Sequence, residues 1–148
     1  MKRMLCCLFA AVLIVGICPI NAFAKESQTI YFENGDYALI ETITYETRVS
    51  GSKKGSKKYT YYNSDSIKQW EAVLTGSFTY TGSSSSCTSS SMDVTIYNSR
   101  CYLISKHAGK SENQARGSAT VGIKMAGGNV GESSTELVLS CDVNGTLS

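Results

Sequence analysis

Proline is almost missing from this chain of 148 residues, and its single proline, Pro19, lies near the N-terminus. From Lys25 onward, turns must therefore be made by Gly, Asn, Asp and Ser, and no native cis-prolyl bond can limit the rate of folding. Strand edges in this part also lack the proline that often blocks edge-to-edge pairing.

Histidine occurs once, as His107, and no Cys-x-x-Cys or His-Glu-x-x-His sequence is present. We therefore expect no metal site and no cofactor. A lone histidine acts as a general base only beside a nucleophile or a carboxylate, and the proximity of Ser105 is weak support in a serine-rich chain. P-loop, G-x-S-x-G and dinucleotide-binding motifs are missing too. We assign no catalytic residue, and a small hydrolase is only the third hypothesis.

The formal net charge is zero when residues 1–24 are left out of the count. Lys2 and Arg3 account for the formal charge of +2, so residues 25–148 carry equal numbers of basic and acidic side chains. This balance gives no argument for nucleic acid or a membrane surface as a partner, and we expect no nucleic acid. It also gives little electrostatic protection against self-association.

The one long apolar run predicts a secretory signal peptide over residues 1–24. Lys2 and Arg3 precede the run MLCCLFAAVLIVGI, and AFA, ending at Ala24, supplies the small residues of a cleavage site. The run is short for a membrane anchor. A lipid-modified Cys18 would need a small residue where Ile17 stands. We expect cleavage after Ala24, secretion, and no membrane anchor afterwards.

The rest of the chain is rich in Thr, Tyr, Val and Ile that alternate with period two, which predicts strands. Asn34-Gly35 between β-rich flanks predicts a hairpin. SGSKKGSKK, residues 50–58, predicts a loop before the strand KYTYYN. The segment SDSIKQWEAVLTGSFTYT also fits a helix start at Ser66, but we favour a strand because the alternation resumes after Gly76.

These patterns predict an all-β domain of about eight short strands, each with one apolar face. The fold class is an antiparallel β-sandwich, immunoglobulin-like or Greek-key. The length suits one domain. Residues 25–50 form an N-terminal hairpin or strand that joins the domain, and residues 51–148 form the body of the β-sandwich.

Three cysteines remain after residue 24: Cys87, Cys101 and Cys141. An oxidising environment favours one disulfide and leaves one thiol over. In the chain-entropy model, a Cys87–Cys141 bridge contributes about 4 kcal/mol and a Cys87–Cys101 bridge about 3 kcal/mol, so energetics does not choose between them.

The order of motifs resembles a group of small, secreted, functionally uncharacterised proteins of Gram-positive bacteria. The shared features are a TYTY-like strand, a Trp-led strand into TGSFTY, a Cys in a serine run, and the closing LSCDVNGTLS, over roughly residues 50–148. The resemblance implies no activity. It implies that Cys87 and Cys141 are the paired cysteines, and the sequence departs from the group at Cys101. Cys101 is then either a buried small hydrophobe or a reactive or intermolecular thiol.

Two residue clusters are candidate binding sites. Four lysines, Lys53, Lys54, Lys57 and Lys58, suggest contact with an anionic polymer, or simply a solvated loop. Three tyrosines, Tyr59, Tyr61 and Tyr62, suggest a platform for stacking on sugar rings, or cross-strand packing. The first hypothesis is a non-enzymatic, ligand-binding protein for a cell-surface glycan or an anionic cell-wall polymer. The alternative is a structural or self-associating secreted protein of unknown oligomeric state.

Overall fold

The computed structural model describes residues 25–128 and 130–148, so the predicted signal peptide lies outside the described residues. These residues form eight strands and no helix. The strands are β1 (Lys25–Tyr31), β2 (Tyr37–Tyr45), β3 (Ser52–Tyr62), β4 (Lys68–Tyr80), β5 (Ser85–Ile96), β6 (Cys101–Ser111), β7 (Gln114–Lys124) and β8 (Val130–Ser140). Accordingly, nothing in the described ranges is a helix long and apolar enough to cross a membrane.

The β-sandwich class is confirmed, because strands β1 to β5 form one antiparallel sheet and β6 to β8 form a second. The immunoglobulin-like or Greek-key strand order is corrected. Within each sheet every strand lies beside its neighbour in sequence, which makes both sheets up-and-down meanders. The reason is that no connection is longer than six residues, whereas a Greek key needs one long connection that returns past its neighbours.

The predicted hairpin at Asn34-Gly35 is confirmed between β1 and β2. Gly35 adopts a φ of +86°, a left-handed conformation that favours glycine. The backbone N–H of Phe32 donates to the carbonyl of Asp36 over 2.9 Å, which closes the turn. The turn places Tyr31 directly opposite Tyr37.

The ambiguous segment after Ser66 is a strand, as predicted, and β4 runs unbroken through Gly76. Its inner side chains Trp70, Ala72 and Leu74 are all 0% exposed. A Cβ on Gly76 would lie 2.8 Å from the ring of Phe78 and 2.9 Å from the Cβ of Ala115 in the facing sheet. Glycine at this position therefore lets the two sheets approach closely without ending the strand.

The predicted loop over residues 50–58 is wrong, because β3 already begins at Ser52. β3 pairs with β2 on one side and β4 on the other, and this pairing overrides the loop-like composition. Gly55 is also required by packing, since a Cβ there would lie 2.8 Å from the backbone oxygen of Ile43. The lysines therefore alternate between the two faces of a central strand.

Other predicted boundaries shift by a few residues. Ser85 and Ser86 of the serine run before Cys87 belong to β5. The segment GGNVGESS, residues 127–134, predicts a turn from its Gly and Asn content, but β8 already begins within it at Val130. Alternation over ARGSATVGIKMA and TELVLSCDV predicts that Met125 and Val143 face inward, but they are 56% and 37% exposed. Both lie just beyond the strands they were assigned to, where the alternation of faces no longer applies.

The core lies between the two sheets and is centred on β4. Its largest fully buried side chains include Trp70, Phe78 and Leu74 from β4, with Val121 and Leu139 from the facing sheet. The three-stranded sheet packs against β3, β4 and β5, whereas β1 and β2 contact no strand of that sheet. The five-stranded sheet is thus wider than its cover, and the first two strands project beyond it.

Candidate functional site

Tyr59 and Tyr61 belong to the core, so the prediction of an exposed platform is wrong for these two residues. They are 4% and 8% exposed, and their ring centroids lie 5.0 and 6.3 Å from that of Trp70. Burial raises the pKa of both phenols, and the hydrogen bond from the Tyr61 hydroxyl to Asp36 raises the pKa of Tyr61 further. Both side chains face inward because Tyr61 lies opposite Trp70 in the ladder between β3 and β4.

The four predicted lysines do not form one patch. Lys57 donates through Nζ to the carbonyl of Val138 over 3.1 Å, on the inner side of the sheet. Lys58 lies on the outer side, with its Nζ 2.7 Å from Oε2 of Glu41. Lys54 is exposed on that outer side, and Lys53 alternates to the inner side. Two of the four lysines, Lys57 and Lys58, are therefore already bound to other groups of the chain. The other two, Lys53 and Lys54, lie on opposite faces of the sheet.

Tyr62, the third predicted tyrosine, lies in a row of side chains that crosses the outer face of the five-stranded sheet. Tyr31 is opposite Tyr37, Tyr37 is opposite Tyr62, and Tyr62 is opposite Lys68. The Nζ atom of Lys68 lies 4.6 Å from the ring centroid of Tyr97, which completes the row. We call these five residues the tyrosine row.

The rings of the tyrosine row pack against one another. The rings of Tyr37 and Tyr62 are stacked, with centroids 4.9 Å apart and an interplanar angle of 9°. Tyr31 is tilted by 40° against Tyr37, with centroids 6.0 Å apart. The two ends of the row are open, since Tyr31 is 78% exposed and Tyr97 is 51% exposed. Open aromatic surface is therefore available at both ends of a rigid strip.

Lys68 is held in the row by a second contact. Its Nζ lies 3.2 Å from Oε2 of Glu71, and the Thr60 hydroxyl donates to the same oxygen over 3.3 Å. Burial lowers the pKa of Lys68, but the hydrogen bond and charge of Glu71 outweigh it, so the pKa is raised. The ammonium of Lys68 stays charged, and its charge is balanced locally by Glu71.

Sequence reasoning missed Tyr31, Tyr37, Tyr97 and Lys68. A signal for the first two was present, because they lie at equal distances on either side of Asn34 and a hairpin there brings them opposite each other. Tyr97 and Lys68 join the row only through the register of later ladders, which includes an irregularity between Tyr61 and Tyr62. Such an irregularity cannot be read from local alternation.

Glu41 is the most buried carboxylate of the outer face, at 5% exposed. It lies between Nζ of Lys25 at 2.5 Å and Nζ of Lys58 at 2.7 Å. Burial alone would raise the pKa of Glu41, but the two ammonium groups outweigh it and the pKa is lowered. The pair of lysines therefore stabilises the ionised form in the folded chain.

The lowered pKa of Glu41 predicts a loss of stability in acid. Its contribution to the free energy of unfolding is present above the ordinary carboxyl pKa of 4.5 and is lost as the pH falls through the lower folded value. We expect Glu41→Gln to be less stable than the wild type at neutral pH and to lose less stability on acidification. Urea unfolding from pH 7 to pH 3 measures this. Asp93→Asn is the control, because the Asp93 side chain is 78% exposed; an equal effect there would contradict the prediction.

A depression of 330 Å³ lies on the outer face of the three-stranded sheet, and His107, Ser118 and Glu136 line it. The three residues lie directly opposite one another on β6, β7 and β8. Ser118 separates the imidazole from the carboxylate by two strand spacings, about 10 Å between backbones. A triad needs the histidine in the middle. Ser105 does not line the depression, so the hydrolase hypothesis gains no support from this geometry.

Two adjoining cavities, of 330 and 260 Å³, lie along the inner face of β1 and β2. Glu26 and Thr42 line both of them. The C-terminal residues 144–148 form the other wall. Lys53 lines the first cavity and Lys57 the second. This groove exists because the three-stranded sheet does not cover β1 and β2.

The three thiols are free and buried. Cys87 and Cys141 lie on either side of the turn between β6 and β7. Their backbone N–H groups donate to the adjacent carbonyls of Glu112 and Asn113, over 2.7 and 3.0 Å respectively. Both cysteines therefore border the same two-residue turn, Glu112-Asn113.

Cys101 lies at the opposite end of the sandwich. It pairs with Ile123, whereas the turn beside Cys87 and Cys141 precedes Gln114, at the other end of β7. This separation is about 30 Å along the strand, so a Cys87–Cys101 bridge cannot form in this fold. Burial raises the pKa of all three thiols, which disfavours the reactive thiolate.

In residues 25–128 and 130–148 no group of three or more His, Cys, Asp or Glu side chains is arranged to hold a metal ion. The tyrosine row is thus the candidate site with the most organised geometry. Comparison of the chain with protein-family models, with curated proteins and with solved structures gave no match.

Proposed function

We propose that this chain is an exported, non-enzymatic binding protein that holds a glycan at the tyrosine row. The observation that carries the proposal is the shared register of Tyr31, Tyr37 and Tyr62, which Lys68 and Tyr97 extend across the sheet. Tyrosine combines an apolar ring, which packs on the C–H faces of a sugar, with a hydroxyl that can bond to sugar hydroxyls.

The dimensions of the row suit a chain-like ligand. The row reaches from β1 to the end of β5, and adjacent strands lie about 4.8 Å apart, so its length is about 20 Å. Strand-borne side chains hold their positions more precisely than loop-borne ones. An extended oligosaccharide can contact both open ends, Tyr31 and Tyr97, whereas a single sugar cannot.

A neutral glycan is favoured over an anionic polymer. The row has one ammonium group, Lys68, whose charge Glu71 balances. The predicted lysine patch is divided between two faces, with Lys57 and Lys58 already bound to other groups. Binding through this row should therefore depend little on salt, unlike binding to a polyanion.

Loss of an open ring at either end should weaken glycan binding. Aromatic stacking contributes about 1–3 kcal/mol per ring, so Tyr31→Ala and Tyr97→Ala should each raise the dissociation constant about tenfold or more. Affinity electrophoresis and calorimetry with soluble β-glucan, xylan, chitin oligosaccharides and peptidoglycan fragments measure this. Both tyrosines are exposed, so neither replacement should impair folding.

Tyr102 provides the matched control, since it is a partly exposed tyrosine of the opposite sheet, at 37% exposed. Tyr102→Ala should leave glycan binding unchanged. Wild-type protein that binds none of the probes, or an equal loss in Tyr102→Ala, would overturn the proposal. Binding that is abolished by moderate salt would point to a polyanion instead.

We further propose that export removes residues 1–24 and oxidises Cys87 and Cys141 to an intramolecular disulfide. The two cysteines flank one turn, and the Ser85 hydroxyl also donates to the carbonyl of Cys141 over 2.7 Å. The two thiols lose two protons and two electrons to the disulfide of a thiol–disulfide oxidoreductase, which becomes a dithiol. Cys101 has no partner within reach and stays a buried small side chain, at 6% exposed.

A further inference from the structure

The two sheets have four edge strands, and contacts protect three of them. On β8, Lys57 reaches the carbonyl of Val138, and Ser140 pairs with Ser148. On β5, the N–H of Cys87 donates to the turn that follows β6, and the carbonyl of Thr88 accepts from Lys110 over 2.8 Å. β6 packs against β5, which occupies the space beside its edge, although every residue of β6 except Cys101 is exposed.

The fourth edge strand, β1, has no such protection within residues 25–128 and 130–148. It pairs only with β2, and all seven of its residues are exposed. Its ladder with β2 is regular over all seven residue pairs. Its one cation, Lys25, is drawn toward Glu41 of β2. An edge without proline, bulge or free lysine is a template for another strand.

We propose that β1 pairs antiparallel with β1 of a second copy of this chain, about a two-fold axis at Gln28. The two five-stranded sheets then form one continuous sheet of ten strands. In this register Gln28 faces Gln28 of the other copy, and Lys25 faces Tyr31. The same surface serves both copies, so the assembly closes as a dimer.

The sequence of β1, KESQTIY, is compatible with itself in this register. Gln28 is the middle residue, so pairing about it uses all seven residues, whereas a shift by two residues uses fewer. Residues that face each other also share a face of the sheet, as strand pairing requires. Lys25 and Glu26 of the two copies lie at opposite ends, so no like charges face each other.

The side chain of Gln28 can be replaced by a charged one, and this tests whether residue 28 lies on the two-fold axis. Gln28→Lys places two ammonium groups face to face on the axis, and Gln28→Glu places two carboxylates there. Each variant alone should dimerise about tenfold more weakly or worse, because like charges that face each other oppose association. An equimolar mixture of the two variants places opposite charges on the axis and should recover the dimer.

Analytical ultracentrifugation of the purified protein over a wide concentration range measures this, with its N-terminus established by mass spectrometry. The Cys101→Ser background with reductant removes intermolecular disulfides from the comparison. Ser83 lies in an exposed turn, so Ser83→Lys is the control and should dimerise like the wild type.

A wild type that stays monomeric at every concentration would overturn the proposal, as would a dimer that Gln28→Lys does not weaken. A mixture of the Lys and Glu variants that stays monomeric would exclude the Gln28 axis. Gln28 is exposed, and recovery in the mixture would itself show that both variants fold. The test is independent of glycan binding, because none of the variants changes the tyrosine row.

Discussion

Replacement of Trp70 by alanine is expected to lower the free energy of unfolding by about 4 kcal/mol. Trp70 is 0% exposed, and the rings of Tyr59 and Tyr61 pack against it. Alanine would leave a cavity near the start of β4, and the two tyrosines cannot both collapse into it, because they are fixed in the adjacent strand. Urea unfolding followed by circular dichroism measures the loss, since Trp70 is the chain's only tryptophan and its fluorescence disappears with it.

Trp70→Phe should lower the free energy of unfolding much less than Trp70→Ala does. The indole Nε1 of Trp70 is buried and has no hydrogen-bond partner. Phenylalanine removes this unsatisfied donor while it keeps most of the packing, so the loss should be about 1–2 kcal/mol. Tyr97→Ala, at an exposed aromatic residue, is the surface control. Equal losses for the alanine and phenylalanine variants would contradict this account of the core.

Oxidation of Cys87 and Cys141 is expected to raise the free energy of unfolding by about 4 kcal/mol, because the bridge closes a loop of about 54 residues. Unfolding with and without reductant measures the difference. Cys87→Ser and Cys141→Ser should each abolish it, whereas Cys101→Ser should leave it unchanged. All three side chains are buried, so the serine variants are also compared with one another in reductant.

The number of free thiols provides a second measurement on the same protein. Alkylation of the unfolded, unreduced chain from the culture medium should modify one cysteine, Cys101, and intact mass should place the N-terminus at Lys25. Modification of all three remaining cysteines would contradict the bridge. Protection of Cys101 together with Cys87 would contradict the placement of Cys101 at the far end of β7.

Local patterns predicted those parts of the fold that depend on one strand or one turn. Period-two alternation placed Trp70 and Leu74 on one buried face, and Asn34-Gly35 located the first hairpin. The composition of residues 50–58 predicted a loop, which was wrong, because β3 pairs with a neighbouring strand on each side. Composition describes the preference of an isolated segment, and in a central strand the ladders decide.

The candidate site was less predictable than the fold. Alternation places Tyr59 and Tyr61 on one face and Tyr62 on the other, but it does not say which face is inward when both are aromatic. The position of Trp70 opposite Tyr61 decides that question. The contact between Lys68 and Tyr97 requires the register of a further ladder. Register between strands depends on turns and bulges, which leave only weak traces in one sequence.

The sequential order of the strands has a consequence for folding kinetics. Each ladder joins neighbours in sequence, so each pairing closes a shorter loop than a Greek key of the same size would need. The five-stranded sheet can assemble hairpin by hairpin from its N-terminal end while the chain is still emerging. Cys141 follows the last strand in sequence, so a bridge from Cys141 to Cys87 can close only after the C-terminal end of the chain has emerged.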